Sequence, residues 1–291
     1  MQINIIIPTF NRKELLNNLL VQIKEQASKI TMVTYKTIVV VDGSNDGTIE
    51  MLREIHPAVY VVLHPGDLWY TKSMNLGFEK AQQIGCDYVL TLNDDIVLDN
   101  NYLAKMAEIA VSSNTSIVGS LSLTMHQPPK IMFSGIRKYI KWRQKNVRYH
   151  RSFIEFDSNL TGIHPTIVLP GRGMLIPADI VQSLNGFDEF FIQYHSDEDF
   201  CLRAAKIGVP VNISWDARLY SYVEKTAAAT NYMRVSVDKF IKSFFNPYSR
   251  SYIPQKAVFY YRHGIKLLWP ITMLTFFLSN TKAWIFNKKI I

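Results

Sequence analysis

Two short runs of mostly β-branched residues, 3–7 and 37–41, each stop at residues that end a strand, Pro8 in the first case and Asp42-Gly43 in the second. Continuous apolar runs of this length are what a strand covered on both faces requires. Between them, residues 13–28 place Leu15, Leu16, Leu19, Leu20 and Ile23 at i, i+3, i+4 spacing, which makes an amphipathic helix. Strand, helix, strand is a βαβ unit with parallel strands. The alternation continues with a helix at 48–55, a strand at 59–63, a helix at 71–84, a strand at 88–92, a helix at 101–112 and a strand at 116–123. It predicts an α/β fold with a parallel, helix-covered sheet. Its ligand crevice should lie at the carboxyl ends of the strands.

The unusual polar residues fall at those ends: Pro8-Thr9-Phe10-Asn11-Arg12, then Asp42-Gly43-Ser44-Asn45-Asp46-Gly47-Thr48, then Asn93-Asp94-Asp95. Neither G-x-G-x-x-G nor G-x-x-x-x-G-K-[ST] occurs, so a dinucleotide fingerprint and a P-loop are both excluded. Asn93 and Asp95 stand two apart and project to one side, an oxygen pair suited to a hard divalent cation that substrate phosphates also hold. A polar turn before the next helix explains the same residues. Asp42 can accept a pyrimidine ring N–H or ribose hydroxyls, or close a turn in which Gly43 and Gly47 bend the chain and Asp46 caps a helix.

Past about residue 124 the alternation stops. Residues 124–170 contain Pro128-Pro129 and Pro165 and read as loops with one strand or helix among them. A glycine-rich turn, a strand near 174–176, helices at 178–184 and 197–207 and a strand at 211–215 follow. The second helix opens on Asp197, Glu198 and Asp199, more acid than a helix dipole asks for, so a general base is one reading and dipole stabilisation the other. Trp69-Tyr70 can stack on a sugar or base, or belong to the core. Lys72 and Asn75 on the following helix are candidate substrate contacts. Arg172, between Gly171 and Gly173, either meets a phosphate or occupies a surface turn. His195 has no metal-ligand partner at helical spacing, which leaves a structural or acceptor-side role.

Taken in order, Ile-Pro-Thr-Phe-Asn-Arg (7–12), Val-Val-Asp-Gly-Ser-Asn-Asp-Gly-Thr (40–48), Leu-Asn-Asp-Asp (92–95), Gly-Arg-Gly-Met-Leu-Ile-Pro (171–177), Gly-Phe-Asp-Glu (186–189) and Asp-Glu-Asp-Phe-Cys-Leu-Arg (197–203) form a series. It resembles glycosyltransferase family 2 over about residues 1–215. The resemblance implies a GT-A fold, an α/β architecture whose Rossmann-like mixed, mainly parallel sheet carries helices on both faces, and an inverting, rhamnosyltransferase-like enzyme of surface polysaccharide biosynthesis that uses a nucleoside-diphosphate sugar. It implies a nucleotide pocket of Pro8, Thr9, Asn11, Arg12, Asp42 and Asp94, and Mg²⁺ or Mn²⁺ at Asp95 with Asn93. Asp197 becomes the catalytic base with Asp199 as substitute, and Trp69, Lys72, Asn75, Arg172, Gly173 and His195 stand on the substrate side. The first Asp of the family's Asp-x-Asp is Asn93 here, and the Glu of its Glu-Asp pair is Ser196. These departures keep a catalytically degenerate sugar-nucleotide-binding module as the alternative. A sugar nucleotidyltransferase would open on a glycine-rich basic loop, and residues 7–12 contain no glycine.

Composition enters through charge. The net charge of +8 invites a nucleic-acid reading, but residues 201–291 hold 14 Lys/Arg against 3 acids while residues 1–200 hold 18 against 21. The strand-exit loops are acidic and no recognition motif occurs, so nucleic acid is excluded as a partner. A second basic block, 130–151, carries eight Lys/Arg and no acid. Residues 233–266 mix cations with aromatics, including Arg234, Lys256 and Tyr260, and lead into the uncharged run 267–278, too short to span a bilayer. Such a tail fits an anionic membrane surface, or else packs on the catalytic part. The expected organisation is a catalytic domain at 1–225, divided into a nucleotide-binding half (1–123) and an acceptor half (124–225), and a helical basic region at 226–291. The N-terminus lacks the pattern of a signal peptide, and Cys86 and Cys201 have no disulfide or zinc spacing. The expected location is therefore the cytoplasm, peripheral on the inner face of the cell membrane, with a glycan or lipid-linked acceptor.

Overall fold

The computed structural model describes residues 1–112, 115–222 and 235–286. Strand β1 (Gln2–Thr9), helix α1 (Lys13–Ala27), β2 (Thr34–Asp42), α2 (Thr48–Ile55), β3 (Tyr60–His64), α3 (Trp69–Ile84) and β4 (Tyr88–Thr91) follow the expected alternation. β1 pairs in parallel with β2 and with β4, and β2 with β3. Ile3, Ile5 and Ile7 pack into one core layer with Leu16 and Leu19 of α1, and Ile6, Ile38 and Val40 into the opposite layer with Met74 and Phe78 of α3. Burial on both faces is why these strands read as unbroken apolar runs.

After β5 (Ile96–Leu98), α4 (Tyr102–Ser112) and β6 (Ile117–Thr124), the sheet departs from simple repetition. β11 (Met174–Pro177) inserts antiparallel between β4 and β6, and so carries the 171–173 turn to the crevice. β12 (Val211–Ser221) pairs in parallel with β6 and is twice as long as the apolar run suggests. Its register shifts between Ser214 and Arg218, and beyond that bulge buried and half-buried residues alternate, so no continuous run marks it.

The loop expectation for 124–170 is corrected. The segment holds β7 (Ile131–Phe133) on the edge of β6, a separate hairpin of β8 (Ile136–Ile140) and β9 (Lys145–Arg148), and β10 (Ile163–Pro165) against β12. Arg137, Lys138, Lys145 and Arg148 of the hairpin are exposed, so apolar periodicity cannot reveal it.

α5 (Ala178–Ser183) and α6 (Ser196–Lys206) cover the α3 side of the sheet. The basic region forms α7 (Val237–Ser243), α8 (Ile253–His263), a 3₁₀ turn (Lys266–Leu268) and α9 (Trp269–Ile285) around Phe240, Phe244, Met273 and Phe276. The expected boundary near residue 225 lies outside the described residues, as do Arg234, Lys288 and Lys289 of the basic region. α8 is joined firmly to what precedes it: Arg262 donates to Asp188 (2.7 Å) and Asp199 (2.8 Å), and His263 lies 2.8 Å from Asp199.

Candidate active site

The crevice is built where β1, β2 and β4 end. Past Thr9 the backbone turns through Asn11, at φ 51, and this residue ties two loops together: its N–H donates to Ser44 Oγ (3.0 Å) and its Oδ1 accepts from Asn45 N–H (2.8 Å). Asp46 accepts from Lys13 N–H and Thr48 N–H. Asp94 accepts from Thr9 Oγ1 and from Arg12, both at 2.8 Å, and is almost fully buried. Burial lifts its carboxyl to about 6, with Arg12 pulling against it and the Asp95 charge adding to it. Asp94 is thus a brace that holds the first loop against the end of β4. Arg12 also lies 3.4 Å from Asp95.

Asn93 Oδ1 and Asp95 Oδ1 are buried and accept no hydrogen bond among the described residues. Buried oxygens are almost always satisfied, so two unmet acceptors on one strand exit call for a positive partner. They fit Mg²⁺ or Mn²⁺ held jointly with substrate phosphates, since such ions take few protein oxygens and keep other positions for the substrate. Among the described residues no group of three or more His, Cys, Asp or Glu side chains forms an all-protein metal cage.

Asp42 turns toward the start of α3. Its carboxylate accepts from Leu68 N–H (3.0 Å) and Trp69 N–H (3.0 Å), which begins that helix two residues earlier than the apolar pattern suggests. Trp69 stacks on Tyr248 at 3.8 Å and donates its indole N–H to Asp67, so one face of this candidate sugar platform is covered by the C-terminal region and the rest remains partly exposed. Lys72 is exposed on α3, whereas Asn75 holds the 186–189 segment by accepting from Phe187 N–H and donating to Phe187 C=O (both 2.9 Å) and to Glu189 (3.1 Å).

The opposite wall centres on Asp197, in the first turn of α6. Its Oδ2 accepts from Gly171 N–H and its Oδ1 from Glu198 N–H, both at 2.8 Å. Burial, reinforced by the Glu198 charge, pushes the Asp197 carboxyl above the ordinary carboxylate range, which makes it a stronger proton acceptor. A Cβ at Gly171 would fall on the Tyr70 hydroxyl, itself buried and without a hydrogen-bond partner among the described residues. Only glycine lets the turn approach that ring. Gly173, at φ 75, would drive a Cβ into Ser120 and Leu219, and its N–H donates to Thr91 C=O at 2.7 Å. Arg172 between them is anchored by donation to Ser221 Oγ (2.8 Å) rather than loose.

Asp199 points away into a fully buried junction, where it accepts from Arg203 (2.7 Å), Arg262 and His263. Burial opposes its ionisation, but these hydrogen bonds outweigh it and hold the carboxyl at about 2. Asp199 therefore fastens α8 to α6, whereas Asp197 bonds only to backbone N–H groups among the described residues. His195, at φ 75, sets its Nδ1 2.8 Å from Glu198 Oε2 and keeps Nε2 buried with no hydrogen-bond partner among the described residues. Burial, aided by Lys256, lowers its pKa to about 4, so the ring is neutral near pH 7.

Two further groups emerge only in three dimensions. Lys256 of α8 is 6% exposed, lies over the Tyr260 and Phe276 rings and forms no ion pair among the described residues. Burial, with Arg250 adding to it, lowers its pKa to about 8. Arg250 sits over Tyr194, 6.0 Å from the ring. In the sequence both are two cations among many in a basic stretch.

This architecture is shared with solved structures. Residues 1–349 of S. aureus TarS match at 15% identity with a TM-score of 0.55, covering 77% of this chain and 61% of that one. The same protein in complex with UDP-GlcNAc matches at 14% identity with a TM-score of 0.55, covering 84% and 64%. The chain thus spans less than two thirds of those structures, and at such identity the likeness concerns the GT-A fold alone. No curated protein matches the sequence. The model of "Glycosyl transferase family 2" matches residues 4–166, more than half of the chain, including the ends of β1, β2 and β4, and the protein belongs to that family.

Proposed function

We propose that the protein is an inverting glycosyltransferase that moves a sugar from a nucleoside-diphosphate sugar to a hydroxyl of a glycan acceptor. The observation that carries this reading is the pairing of one basic carboxylate, Asp197, fixed by two backbone N–H groups, with a crevice where the buried Asn93 Oδ1 and Asp95 Oδ1 accept no hydrogen bond among the described residues. TarS structures that hold UDP and UDP-GlcNAc make a UDP-sugar the first donor to test.

In this reading Asp197 takes the proton of the acceptor hydroxyl as its oxygen attacks the anomeric carbon opposite the diphosphate. One C–O bond forms while the other breaks, and the centre inverts. General-base help of this kind contributes about 10²–10⁴-fold. Thr9, Asn11 and Arg12 keep the first loop closed on the nucleotide, and Asp42 holds the start of α3 as its wall. A divalent cation at Asn93 and Asp95 would supply positive charge to offset the charge that develops on the leaving diphosphate. Trp69, Arg172, Gly173 and His195 border the substrate side, with the unmet His195 Nε2 as an acceptor for a hydroxyl. The test is UDP release from UDP-GlcNAc and related donors with Mn²⁺, with water as the acceptor. Wild type should turn over slowly and Asp197→Asn hardly at all. Nucleotide binding without any turnover would favour the degenerate binding module instead.

We further propose that the enzyme works at an anionic membrane surface, on the inner face of the cell membrane, in surface polysaccharide biosynthesis with a lipid-linked acceptor. No described helix is long and apolar enough to cross a membrane. α9 nevertheless leaves Ile271, Leu274, Leu278 and Ile285 more than half exposed along one side while Met273, Phe276 and Ala283 face inward. An apolar stripe with Lys266 and Lys282 beside it is the pattern of a helix lying in an interface.

A further inference from the structure

The end of α6, the last turns of α8, the 3₁₀ turn and the first residue of α9 line an open surface cavity of about 750 Å³. Ala257, Val258 and Trp269 form its apolar lining, with the Trp269 indole N–H donating to Ala257 C=O at 2.9 Å. Lys206, Arg262 and Lys266 supply its charge. The Arg262 charge is offset by Asp188 and Asp199, but neither lysine meets a carboxylate among the described residues. The Lys206 ammonium donates to Arg262 C=O (3.1 Å), and Lys266 lies over the Tyr261 ring. Burial lowers the pKa of Lys206; Asp199 opposes this, while Arg262, Lys141 and Lys266 add to it, so several cations share one region with little to balance them.

What surrounds the cavity is apolar and exposed. Leu267 is 88% exposed, and Ile265, Ile271 and Leu274 extend the surface from it. The β8–β9 hairpin reaches the same edge, where Thr272 donates to Trp142 C=O (3.2 Å), and brings an exposed Trp142 with Arg143 packed on its ring. A soluble anion would use the lysines and leave this shelf in water, and a nucleic acid has nothing to place on it.

We propose that this cavity seats the phosphate head group of an anionic membrane lipid, with Lys206 and Lys266 on the phosphate and Leu267 and Ile271 among the acyl chains. The proposal rests on the membrane-surface reading above and sharpens it from a diffuse attraction to a defined site. It also gathers the two basic segments, 130–151 and the C-terminal region, at one edge of the molecule.

The test is co-sedimentation of the full chain with vesicles of phosphatidylcholine alone or mixed with phosphatidylglycerol. Lys206→Gln with Lys266→Gln is compared with Lys239→Gln with Lys282→Gln, which removes the same charge outside the cavity. All four side chains are exposed, and unchanged thermal unfolding verifies that the variants fold. Diffuse attraction weakens by about fivefold for each surface-proximal lysine lost, so equal losses in the two double variants overturn the proposal. A loss at least about tenfold greater in the cavity variant supports it. Dihexanoyl phosphatidylglycerol should compete with the vesicles far better than glycerol 1-phosphate; equal competition would mean that phosphate alone is read and overturns the lipid assignment. If wild type ignores both kinds of vesicle, the membrane reading fails together with this site, while UDP release from the donor remains an independent measure of transfer chemistry.

Discussion

The strand-exit crevice and the C-terminal wall make opposite demands. In the crevice the unmet buried groups are oxygens, Asn93 Oδ1 and Asp95 Oδ1, and the nearby charges are Asp94 and Asp95 against a single Arg12. In the wall the unmet charge is positive, a buried Lys256 with no ion pair among the described residues and Lys206 and Lys266 around a cavity. One face asks for a cation and a diphosphate, the other for an anion. A net charge averaged over the chain conceals this division, and α8 is fastened to the catalytic part through Asp199, with Asp188 sharing Arg262.

The sharpest way to break this comparison is at the base. Asp197→Asn should lower donor turnover by about 10²–10⁴-fold with UDP affinity unchanged, measured by UDP release and by calorimetry. In wild type the acidic limb of the rate profile should lie above the ordinary carboxylate pKa of about 3.9, because burial and Glu198 raise Asp197. A limb at or below that value would place the proton transfer on another group.

The junction comes next. Asp199→Asn leaves two guanidinium groups, Arg203 and Arg262, and the His263 ring facing a neutral amide in a fully buried position. Breaking a buried pair in this way costs about 3–5 kcal/mol, readable in urea unfolding. Because the folded carboxyl is held at about 2, its stabilisation is complete above an unfolded value of about 3.9 and is lost as pH falls toward 2. Wild type should weaken through that window, and the Asn variant should lack this component of the acid transition.

A smaller effect tests the turn that delivers the Gly171 N–H. Gly171→Ala should destabilise by about 1–3 kcal/mol through overpacking against the Tyr70 hydroxyl. Adding Tyr70→Phe should restore only part of the loss, because the ring Cζ would still stand 2.7 Å from the new Cβ, and distant residues would show no such coupling. The smallest effect is expected at Asn93→Asp, which adds one charge to the cation site. Mn²⁺ affinity in the presence of UDP should rise by roughly three- to tenfold, since ligand charge tunes such sites.

How much of this was legible in the sequence follows from what each signal needs. The 3-2-1-4 half of the sheet was readable because strands buried on both faces spell themselves as apolar runs and α1 carries its own period. The β8–β9 hairpin and the far half of β12 were not, because exposed cations and a bulge erase periodicity. At the site, Asp95, Asp197 and the glycine turn were visible as motifs. Asp199 was expected as a second base, and its true surroundings depend on Arg262 and His263, more than sixty residues away. Asn75 was expected to touch substrate and is instead bonded to the 187–189 segment. Lys256 and the Lys206–Lys266 cavity depend on how α8 docks, which no local pattern encodes.

The central claim is that the acidic crevice holds a nucleoside diphosphate with the help of a cation at Asp95. It is tested most directly by the thermal unfolding of wild type and Asp95→Asn with UDP-GlcNAc, each with and without Mn²⁺, because a ligand that binds only the folded state raises its apparent stability. The account predicts a rise for wild type that Mn²⁺ enlarges, and no Mn²⁺ increment in the variant. An identical shift in both proteins with and without Mn²⁺, or no shift at all, would contradict it.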